Sequence, residues 1–298
     1  MIHLWQGDCL KHIRQLKENG ILVDLTFLDP PFNQGKDYAC ADDDLPEEDY
    51  WAWMREICRG VYDNTSPGGA IYFMQREKNT EATLHTLRET GWDFQNLIIW
   101  LKTTSAVPGQ KRYGKQYQII TFATKGRSPR VFNRLRIDPP KLPHHKLERE
   151  NGIFVTDCWN DIREMTSGYL AGDEALRNES GERLHKQQSP AALLLRIVLS
   201  SSLQGNWVLD PFSGTGTTAV VAEQLGRNCV AVELDPNNVE IIRKRLKEQR
   251  NADSVCKWHS YYRYTPKLEA IWDKEISTQK AEQRQMTLFE ARGDYVHP

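Results

Sequence analysis

The residues whose types and spacing best suit chemistry on a ligand are Asp29, Pro30, Pro31 and Phe32. They follow the apolar and β-branched segment 21–28, which is typical of a buried strand. A central strand cannot continue through two prolines, because proline has no N–H to donate, so the tetrapeptide lies at the carboxyl end of the strand. Open α/β sheets bind their ligands at that end.

This tetrapeptide offers two hydrogen-bond acceptors, the Asp29 carboxylate and the Pro30 carbonyl, beside the aromatic face of Phe32. It contains no nucleophile and no set of metal ligands. The arrangement suits a planar ring that carries an exocyclic amine, because two N–H donors meet two acceptors while the ring stacks on the phenyl group. A simple turn after a strand is the alternative interpretation.

A second candidate site is the loop at residues 210–219, Asp-Pro-Phe-Ser-Gly-Thr-Gly-Thr-Thr-Ala, which follows a predicted strand at 207–210. Gly214 and Gly216 are expected to let the backbone approach a ligand closely. Glu233 ends the next predicted strand, about twenty positions beyond the glycines, where a carboxylate can accept hydrogen bonds from both ribose hydroxyls. The pattern predicts a site for a nucleotide-type cofactor.

The spacing Gly-x-Gly-x-x-Ala also fits a NAD-dependent oxidoreductase, which is the first alternative. Two features argue against it. Asp210-Pro-Phe stands where dehydrogenases usually carry apolar strand residues, and the unit lies late in the chain, behind the whole region of Asp29.

Charge is unevenly distributed along the 298 residues. The whole chain has a net charge of −1, whereas residues 100–150 hold twelve Lys or Arg against three acids. So basic a block predicts a phosphate-binding surface, with an ordinary solvated face as the alternative. The candidate phosphate contacts are Lys111, Arg112, Lys115, Arg130, Arg134 and Arg136.

Composition disfavours several classes of protein. There is no apolar N-terminal run with a cleavage site and no apolar stretch of about 18 residues, so neither a signal peptide nor a membrane span is expected. The six cysteines form no C-x-x-C pair, and adjacent His144 and His145 lack further ligands at useful spacing. We therefore expect a cytoplasmic protein with reduced thiols and no metal site.

Strand and helix patterns alternate along most of the chain, which predicts an α/β fold. Regular periodicity is lost at residues 127–184 and resumes with a predicted helix after Ser189-Pro190. The expected divisions are a catalytic half at 1–126, an insert at 127–184, a cofactor-binding half at 185–250 and a C-terminal extension at 251–298. Within the first half, residues 33–49 are expected to form a mobile surface loop.

The tetrapeptide Asp29-Pro-Pro-Phe resembles the catalytic motif of the DNA amino-methyltransferases, which methylate adenine N6 or cytosine N4. Residues 210–218 resemble their S-adenosyl-L-methionine-binding motif, and the order of catalytic motif, insert and cofactor loop is that of their β group, the restriction–modification type. The resemblance covers roughly residues 2–246, apart from much of the insert. It implies a Rossmann-like methyltransferase fold with a mixed, mostly parallel seven-stranded sheet and a target-recognition insert.

By the same resemblance, the four tetrapeptide residues are the catalytic ones. Residues 185–190 resemble a His-Pro-Thr-Gln-Lys-Pro stretch near the cofactor, with departures at Lys186, Gln187 and Ser189. The implied contacts to S-adenosyl-L-methionine are Asp8, Cys9, Asp29, Gln188, Ser189, Asp210, Pro211, Phe212, Gly214, Thr215, Gly216, Thr217, Glu233 and Leu234.

The implied reaction is methyl transfer from S-adenosyl-L-methionine to an exocyclic amine of a flipped base in double-stranded DNA. Asp at the first position of the tetrapeptide favours adenine N6, and cytosine N4 is the alternative. An inactive DNA-binding regulator is an alternative of another class, and RNA or a protein amine is an alternative substrate. A cognate restriction endonuclease and a second copy of the chain are further partners that the resemblance suggests.

The C-terminal segment carries one more resemblance. Gln285-Met-Thr-Leu-Phe289 is similar to the short peptide by which bacterial replication and repair proteins bind the sliding clamp. Leu288 and Phe289 would be the apolar anchors, with Gln285 hydrogen-bonding beside them. The alternative is that both apolar residues pack on the protein's own surface.

Overall fold

A computed structural model describes residues 1–36, 40, 42–103, 110–138, 150–165, 172–184, 188–248 and 250–273. Strands and helices alternate through them, as predicted. The strands are β1 (Ile2–Gln6), β2 (Val23–Leu28), β3 (Thr65–Arg76), β4 (Asp93–Leu101), β5 (Tyr117–Thr124), β6 (Arg136–Ile137), β7 (Ile153–Phe154), β8 (Cys158–Trp159), β9 (Trp207–Asp210) and β10 (Asn228–Glu233). The helices are α1 (Cys9–Glu18), α2 (Glu47–Asp63), α3 (Thr80–Glu89), α4 (Ala191–Ser201), α5 (Thr217–Gln224), α6 (Pro236–Lys247) and α7 (Leu268–Ile271).

Eight of these strands form one sheet, in the order β1-β10-β9-β2-β3-β5-β4-β8. β5 is antiparallel to both neighbours, and the other pairs are parallel. The predicted mixed, mostly parallel sheet is confirmed, but it has eight strands rather than seven. The additional strand is β8, two residues of the insert that pair with Ile99 and Trp100. Two residues are too few to produce a periodic pattern in the sequence.

The central strand β2 is buried almost throughout, because helices cover both faces of the sheet. Leu25 and Phe27 belong to the hydrophobic cluster that contains α4 and α5. Leu28 belongs to the cluster on the other face, with residues of α1 and α2. This two-sided burial explains why the strand is a nearly continuous apolar run in the sequence.

The two halves of the sheet come from distant parts of the chain. β2 pairs with β9 through Leu25 with Val208 and Thr26 with Leu209, and β1 pairs with β10. Because β2, β9 and β10 are parallel, their carboxyl ends lie at one edge of the sheet. Asp29, Asp210 and Glu233 are therefore brought to the same edge.

Parts of the insert and of the C-terminal segment belong to the core. Trp159 of the insert and fully buried Trp272 join the main hydrophobic cluster. Arg196 of α4 links the two segments: its Nη1 donates to Asp161 Oδ1 at 2.8 Å, and the Tyr261 hydroxyl donates to Asp161 Oδ2 at 2.7 Å. Residues 251–273, predicted as an extension, are thus part of the fold.

Some sequence predictions concern residues that the structure does not describe. The peptide at 285–289 and the pair His144 and His145 lie outside the described ranges. Within those ranges, no group of three or more His, Cys, Asp or Glu could hold a metal ion. Nor does any helix there have the length and apolar character needed to cross a membrane.

Candidate active site

A cavity of about 1030 Å³ opens at the carboxyl ends of β2, β9 and β10. It extends from Asp29 and Phe32 to Asp210 and Glu233. Small-molecule sites usually occupy roughly 300–1,000 Å³. The cavity is therefore large enough for a cofactor and a flat ring to lie side by side.

Two polar side chains fix the turn that follows the tetrapeptide. Asn33 has a left-handed backbone, with φ of 53°, and its amide forms two hydrogen bonds with the backbone of Leu45, at 2.7 and 2.8 Å. Buried Asp43 accepts hydrogen bonds from three backbone N–H groups between residues 33 and 36. The expectation of a mobile loop at 33–49 is corrected for its described residues, since a carboxylate with three donors orders the chain around it.

The carbonyl groups of the two prolines differ in their partners. Pro31 O accepts a hydrogen bond from the Tyr50 hydroxyl at 2.8 Å, and that hydroxyl accepts one from Gln75 Nε2 at 2.6 Å. No described residue donates to the carbonyl of Pro30, which lines the cavity. The predicted acceptor is thus held by its neighbour and has no hydrogen-bond partner among the described residues.

Aromatic side chains form the wall of the cavity near Asp29. Phe32 is 8% exposed and Trp100 is 3% exposed. Trp53 and Phe212 meet edge to face, with ring centroids 5.6 Å apart, and all four rings line the cavity. Trp53 could not be predicted as a cavity residue, because a tryptophan on an amphipathic helix has the same pattern as a core residue.

Asp29 is positioned by Ser189, whose hydroxyl donates to Asp29 Oδ2 at 3.1 Å. Burial, with the neighbouring Asp210 carboxylate, raises the pKa of Asp29 to about 7. The positive charges of Lys102 and Lys36 act in the opposite direction, because they favour the ionised form. The charge of the predicted catalytic carboxylate therefore changes near neutral pH.

Lys102 lies in the same cavity, with its ammonium group 3.0 Å from the centroid of the Trp100 ring. Burial lowers the pKa of Lys102 to about 7, against the charges of Glu164 and Asp29. Glu164 is itself buried, and its carboxylate accepts a hydrogen bond from the N–H of Thr103 at 2.7 Å. Because these groups interact, the protonation of each depends on that of the others.

Glu233, at the end of β10, is the centre of the other part of the cavity. Its carboxylate accepts hydrogen bonds from the N–H groups of Gly214 and Asp235 and from Asn238 Nδ2, at 2.7, 2.9 and 3.2 Å. A carboxylate has about four lone-pair sites, so the group is fixed with capacity left for a hydroxyl. Asp210 ends the adjacent strand, and burial raises its pKa to about 7.

The structure brings thirteen of the fourteen predicted cofactor contacts to this cavity, from Asp8 to Leu234. The exception is Gly216, at φ of 81°, where a Cβ atom would lie 2.7 Å from Ile242 Cγ1. Its lack of a side chain lets α5 pack against α6. Gly216 therefore makes room for a neighbouring helix and not, as expected, for a ligand. Gly214 does line the cavity.

Gln188 also has a different role from the one predicted. Its Oε1 accepts a hydrogen bond from the N–H of Leu176 at 3.1 Å, and its Nε2 donates to the carbonyl of Glu174 at 3.1 Å. Both ends of the amide therefore bind the backbone of the insert. Gln188 contacts the cavity, but its polar atoms position the segment before α4.

The six predicted phosphate contacts are spread over the molecule, and none of them lines the cavity. Arg130 pairs with Asp24 at 3.0 Å, at the start of β2 and thus at the opposite end of that strand from Asp29. Arg130 therefore lies away from the cavity, and its contact with a phosphate stays a prediction. Net charge along a segment does not specify which edge of a sheet each residue reaches.

The other five basic residues fall into two groups. Lys115 pairs with Glu77 at 2.7 Å, just beyond the carboxyl end of β3, so the segment with Lys111 and Arg112 lies at the edge that carries the cavity. Arg134 and Arg136 lie on the insert, each 4.3 Å from the centroid of the Phe154 ring. The basic residues that line the cavity are Lys36, Lys102, Arg177 and Arg183, which are scattered in the sequence.

The sheet order, the glycine-bearing loop before α5 and the carboxylate at the end of β10 define the class of Rossmann-like methyltransferases. The residues present fit S-adenosyl-L-methionine. Glu233 has capacity for a ribose hydroxyl, and Leu234 and Phe212 supply apolar contacts in the same cavity.

The chain belongs to the DNA methylase family N6_N4_Mtase, which it matches over residues 23–244. It is therefore a DNA methyltransferase that uses S-adenosyl-L-methionine. The chain is 28% identical to the Type II methyltransferase M.HpaI of Haemophilus parainfluenzae, over 84% of this chain and 76% of the relative. It is 31% identical to the Type II methyltransferase M.BamHI of Bacillus amyloliquefaciens, over 83% of this chain and 57% of that relative.

Solved structures show the same fold. The complex of M1.HpyAVI with S-adenosyl-L-methionine superimposes with a TM-score of 0.55 at 21% identity, over 83% of this chain and 99% of that one. The cytosine-N4-specific PvuII DNA methyltransferase gives a TM-score of 0.58 at 14% identity, over 94% and 93%.

Proposed function

We propose that this DNA methyltransferase modifies adenine N6 at a specific duplex sequence, with the target base flipped into the cavity. The observation that carries the proposal is the placement of Asp29, Pro30 and Phe32 in the cavity that also contains Glu233, with no described donor to the Pro30 carbonyl. An exocyclic amine has two N–H groups on a planar ring. It is matched by two acceptors and an aromatic face.

The chemistry requires that the amine become a better nucleophile. Its lone pair is delocalised into the base, and hydrogen bonds from its N–H groups to Asp29 and Pro30 localise that pair and favour positive charge on nitrogen. The ionised form of Asp29 is the stronger acceptor, and its negative charge favours the positive charge that develops on nitrogen. Lys102 favours the ionised form by its charge, and the Ser189 hydroxyl orients the carboxylate.

When bound, S-adenosyl-L-methionine supplies a methyl group on a positively charged sulfur. In our proposal Glu233 accepts a hydrogen bond from a ribose hydroxyl, Asp8 and Leu234 lie at the adenine end, and residues 210–217 hold the methionine end. These residues fix the orientation of the two reactants, which removes much of the entropic cost of bringing them together.

A base within a duplex cannot reach this cavity, so the target nucleotide must flip out at a cost of a few kcal/mol. Stacking on an aromatic ring such as Phe32 returns about 1–3 kcal/mol. At the same edge of the sheet lie Lys111, Arg112 and Lys115, with Tyr113 98% exposed among them. We propose this rim as a phosphate-binding surface and the insert at 127–184 as the segment that recognises the target.

The positions of Asp29, Pro30 and Phe32 do not distinguish adenine from cytosine, since the exocyclic amine of each base has the same pair of N–H donors. We propose adenine because the tetrapeptide begins with Asp, as it does in the adenine-specific DNA amino-methyltransferases that the motif resembles. The test is digestion of methylated duplex DNA to nucleosides and identification of the product by mass. N6-methyladenine supports the proposal. N4-methylcytosine shows that cytosine is the target instead of adenine, and unmodified DNA overturns the proposal.

Two partners follow from the Type II relatives, a cognate restriction endonuclease and a second copy of this chain. We propose the first because Type II methyltransferases protect DNA. Plasmid DNA from cells that express the chain should then resist one restriction specificity. Sedimentation at several concentrations tests self-association.

A further inference from the structure

A turn at residues 177–183 places two arginines on the wall of the cavity. Arg177 and Arg183 form an antiparallel bridge, and both side chains line the cavity. Between them, the N–H of Asn178 donates to the carbonyl of Glu182 at 2.8 Å, and Arg177 Nη1 donates to the carbonyl of Gly181 at 2.8 Å. The two guanidinium groups are thus held near each other by a hydrogen-bonded turn.

The arrangement is electrostatically unfavourable as it stands. Arg183 Nε and Nη2 are buried and have no hydrogen-bond partner. Burial, with the positive charge of Arg177, lowers the pKa of Arg183. Within the described ranges no ion pair includes either arginine, and the carboxylate of Glu182 accepts a hydrogen bond from Asn178 Nδ2 at 3.2 Å. Buried guanidinium donors without partners are unusual, and an anion would satisfy them.

The base of the turn is tied to the catalytic carboxylate. The N–H of Leu184 donates to the carbonyl of Leu176 at 2.9 Å, and Gln188 binds the backbone on the same side. The next residue, Ser189, donates to Asp29. The arginines therefore line the same cavity as Asp29, and hydrogen bonds of the described residues connect the base of their turn to Gln188.

We propose that Arg177 and Arg183 form a site for an anionic oxygen group, a carboxylate or a phosphate, at this wall of the cavity. The planar guanidinium fork binds both groups through paired hydrogen bonds. Two molecules of the reaction carry such a group: the cofactor has an amino-acid carboxylate, and DNA has a phosphate on each side of a flipped nucleotide. The second source rests on the proposed function.

Binding measurements distinguish the two sources without turnover. The variants are Arg177→Gln, Arg183→Gln and the double variant, with exposed Arg14→Gln on α1, which does not line the cavity, as the matched control. Calorimetry uses S-adenosylhomocysteine and 5′-methylthioadenosine, which shares the adenosine and thioether but has no carboxylate. Anisotropy of a fluorescein-labelled duplex at several salt concentrations measures DNA binding.

If the site holds the cofactor carboxylate, the variants weaken S-adenosylhomocysteine binding roughly ten- to hundredfold and leave 5′-methylthioadenosine unchanged. If it holds a DNA phosphate, cofactor binding is unchanged and the slope of log K against log salt falls by about one per lost contact. Unchanged binding in both assays overturns the site. So does an equal loss for both adenosine compounds, which would indicate a structural role. Since neither assay requires methylation, these results do not depend on whether the proposed base specificity is correct.

Discussion

Asp29 combines a functional requirement with a cost in stability. Its pKa of about 7 in the folded protein lies above the ordinary value of 3.8, because burial and Asp210 disfavour the charge. For a raised pKa, the stabilising contribution is complete below the ordinary value and is lost as the pH rises through about 7. Ionised Asp29 therefore accepts the amine at neutral pH but weakens the fold.

The variant Asp29→Asn should reveal both effects. We expect the methylation rate to fall by roughly 10²–10³ or more, since the negative charge that strengthens a transition-state hydrogen bond is lost, while cofactor affinity is nearly intact. The free protein should gain roughly 1–3 kcal/mol relative to wild type at about pH 8, with little difference at about pH 4. Single-turnover rates and urea unfolding at both pH values are the measurements. A variant with near-normal turnover would remove Asp29 from the mechanism.

The pH profile of the reaction tests the lysines that face Asp29. The rate should rise with pH as Asp29 ionises, because the carboxylate must accept the amine protons. Removing a nearby positive charge raises the pKa of Asp29, so Lys102→Met should move the acid limb of kcat/KM to higher pH. Lys36→Met should move it less, since the charge of Lys36 contributes less than that of Lys102. An acid limb that stays in place in Lys102→Met would contradict this account.

The local part of the site could be predicted from the sequence, and the supporting part could not. Prolines end a strand and glycines mark a loop through their own backbone chemistry, so Asp29 and Gly214 were found from neighbouring residues. Asp43 and Tyr50 hold the tetrapeptide from beyond a loop and from α2. Their contacts depend on the folded chain, and nothing in their local sequence distinguishes them from other polar or core residues.

At the scale of elements, the contact between α5 and α6 depends on Gly216. Gly216→Ala adds a Cβ atom 2.7 Å from Ile242 Cγ1 and also strains the left-handed backbone. Gly205→Ala is the matched control, since it has φ of 79° and nothing within 4 Å of its Cβ position. Thermal unfolding should show that Gly216→Ala costs about 1–3 kcal/mol more than the control. Equal losses would mean that only backbone strain matters.

The ion pair of Arg196 with Asp161 holds the insert and the C-terminal segment on α4. Both side chains are nearly buried, at 1% and 8% exposed. Removing one partner leaves a buried charge, so Asp161→Asn and Arg196→Met should each cost roughly 3–5 kcal/mol. The double variant should lose less than the sum of the two, as measured by urea unfolding in a double-mutant cycle. Additive losses would show that the pair is not coupled.

The order of the elements could be predicted, because their sequence patterns mark β2, β9 and β10. The strand at the outer edge of the sheet, β8, could not be predicted. β8 has two residues, and it pairs with β4 because the insert passes β4 at the edge of the sheet in the folded chain. The same limit applies to residues 251–273, whose 3₁₀ turns lack a regular apolar period.

At the scale of the whole molecule, the two predicted halves form one sheet. The cofactor end and the catalytic end of the cavity therefore share a wall, and neither half contains a complete site. The peptide at 285–289 lies outside the described residues, and its binding to a sliding clamp stays a prediction. A peptide covering residues 281–293 should bind purified sliding clamp, and Leu288→Ala with Phe289→Ala should abolish that binding. No binding by the unaltered peptide would end the hypothesis.

The pairing of β2 with β9 has a consequence for synthesis of the chain. Leu25 pairs with Val208, so the inner edge of β2 has no partner until more than 180 further residues have been translated. An apolar strand with an open edge is prone to pair with other chains. Folding of the centre is delayed until late in translation, and contacts so distant in sequence form slowly. The nascent chain thus needs protection during this interval, and the enzyme cannot bind its cofactor or methylate DNA before β9 and β10 have joined the sheet.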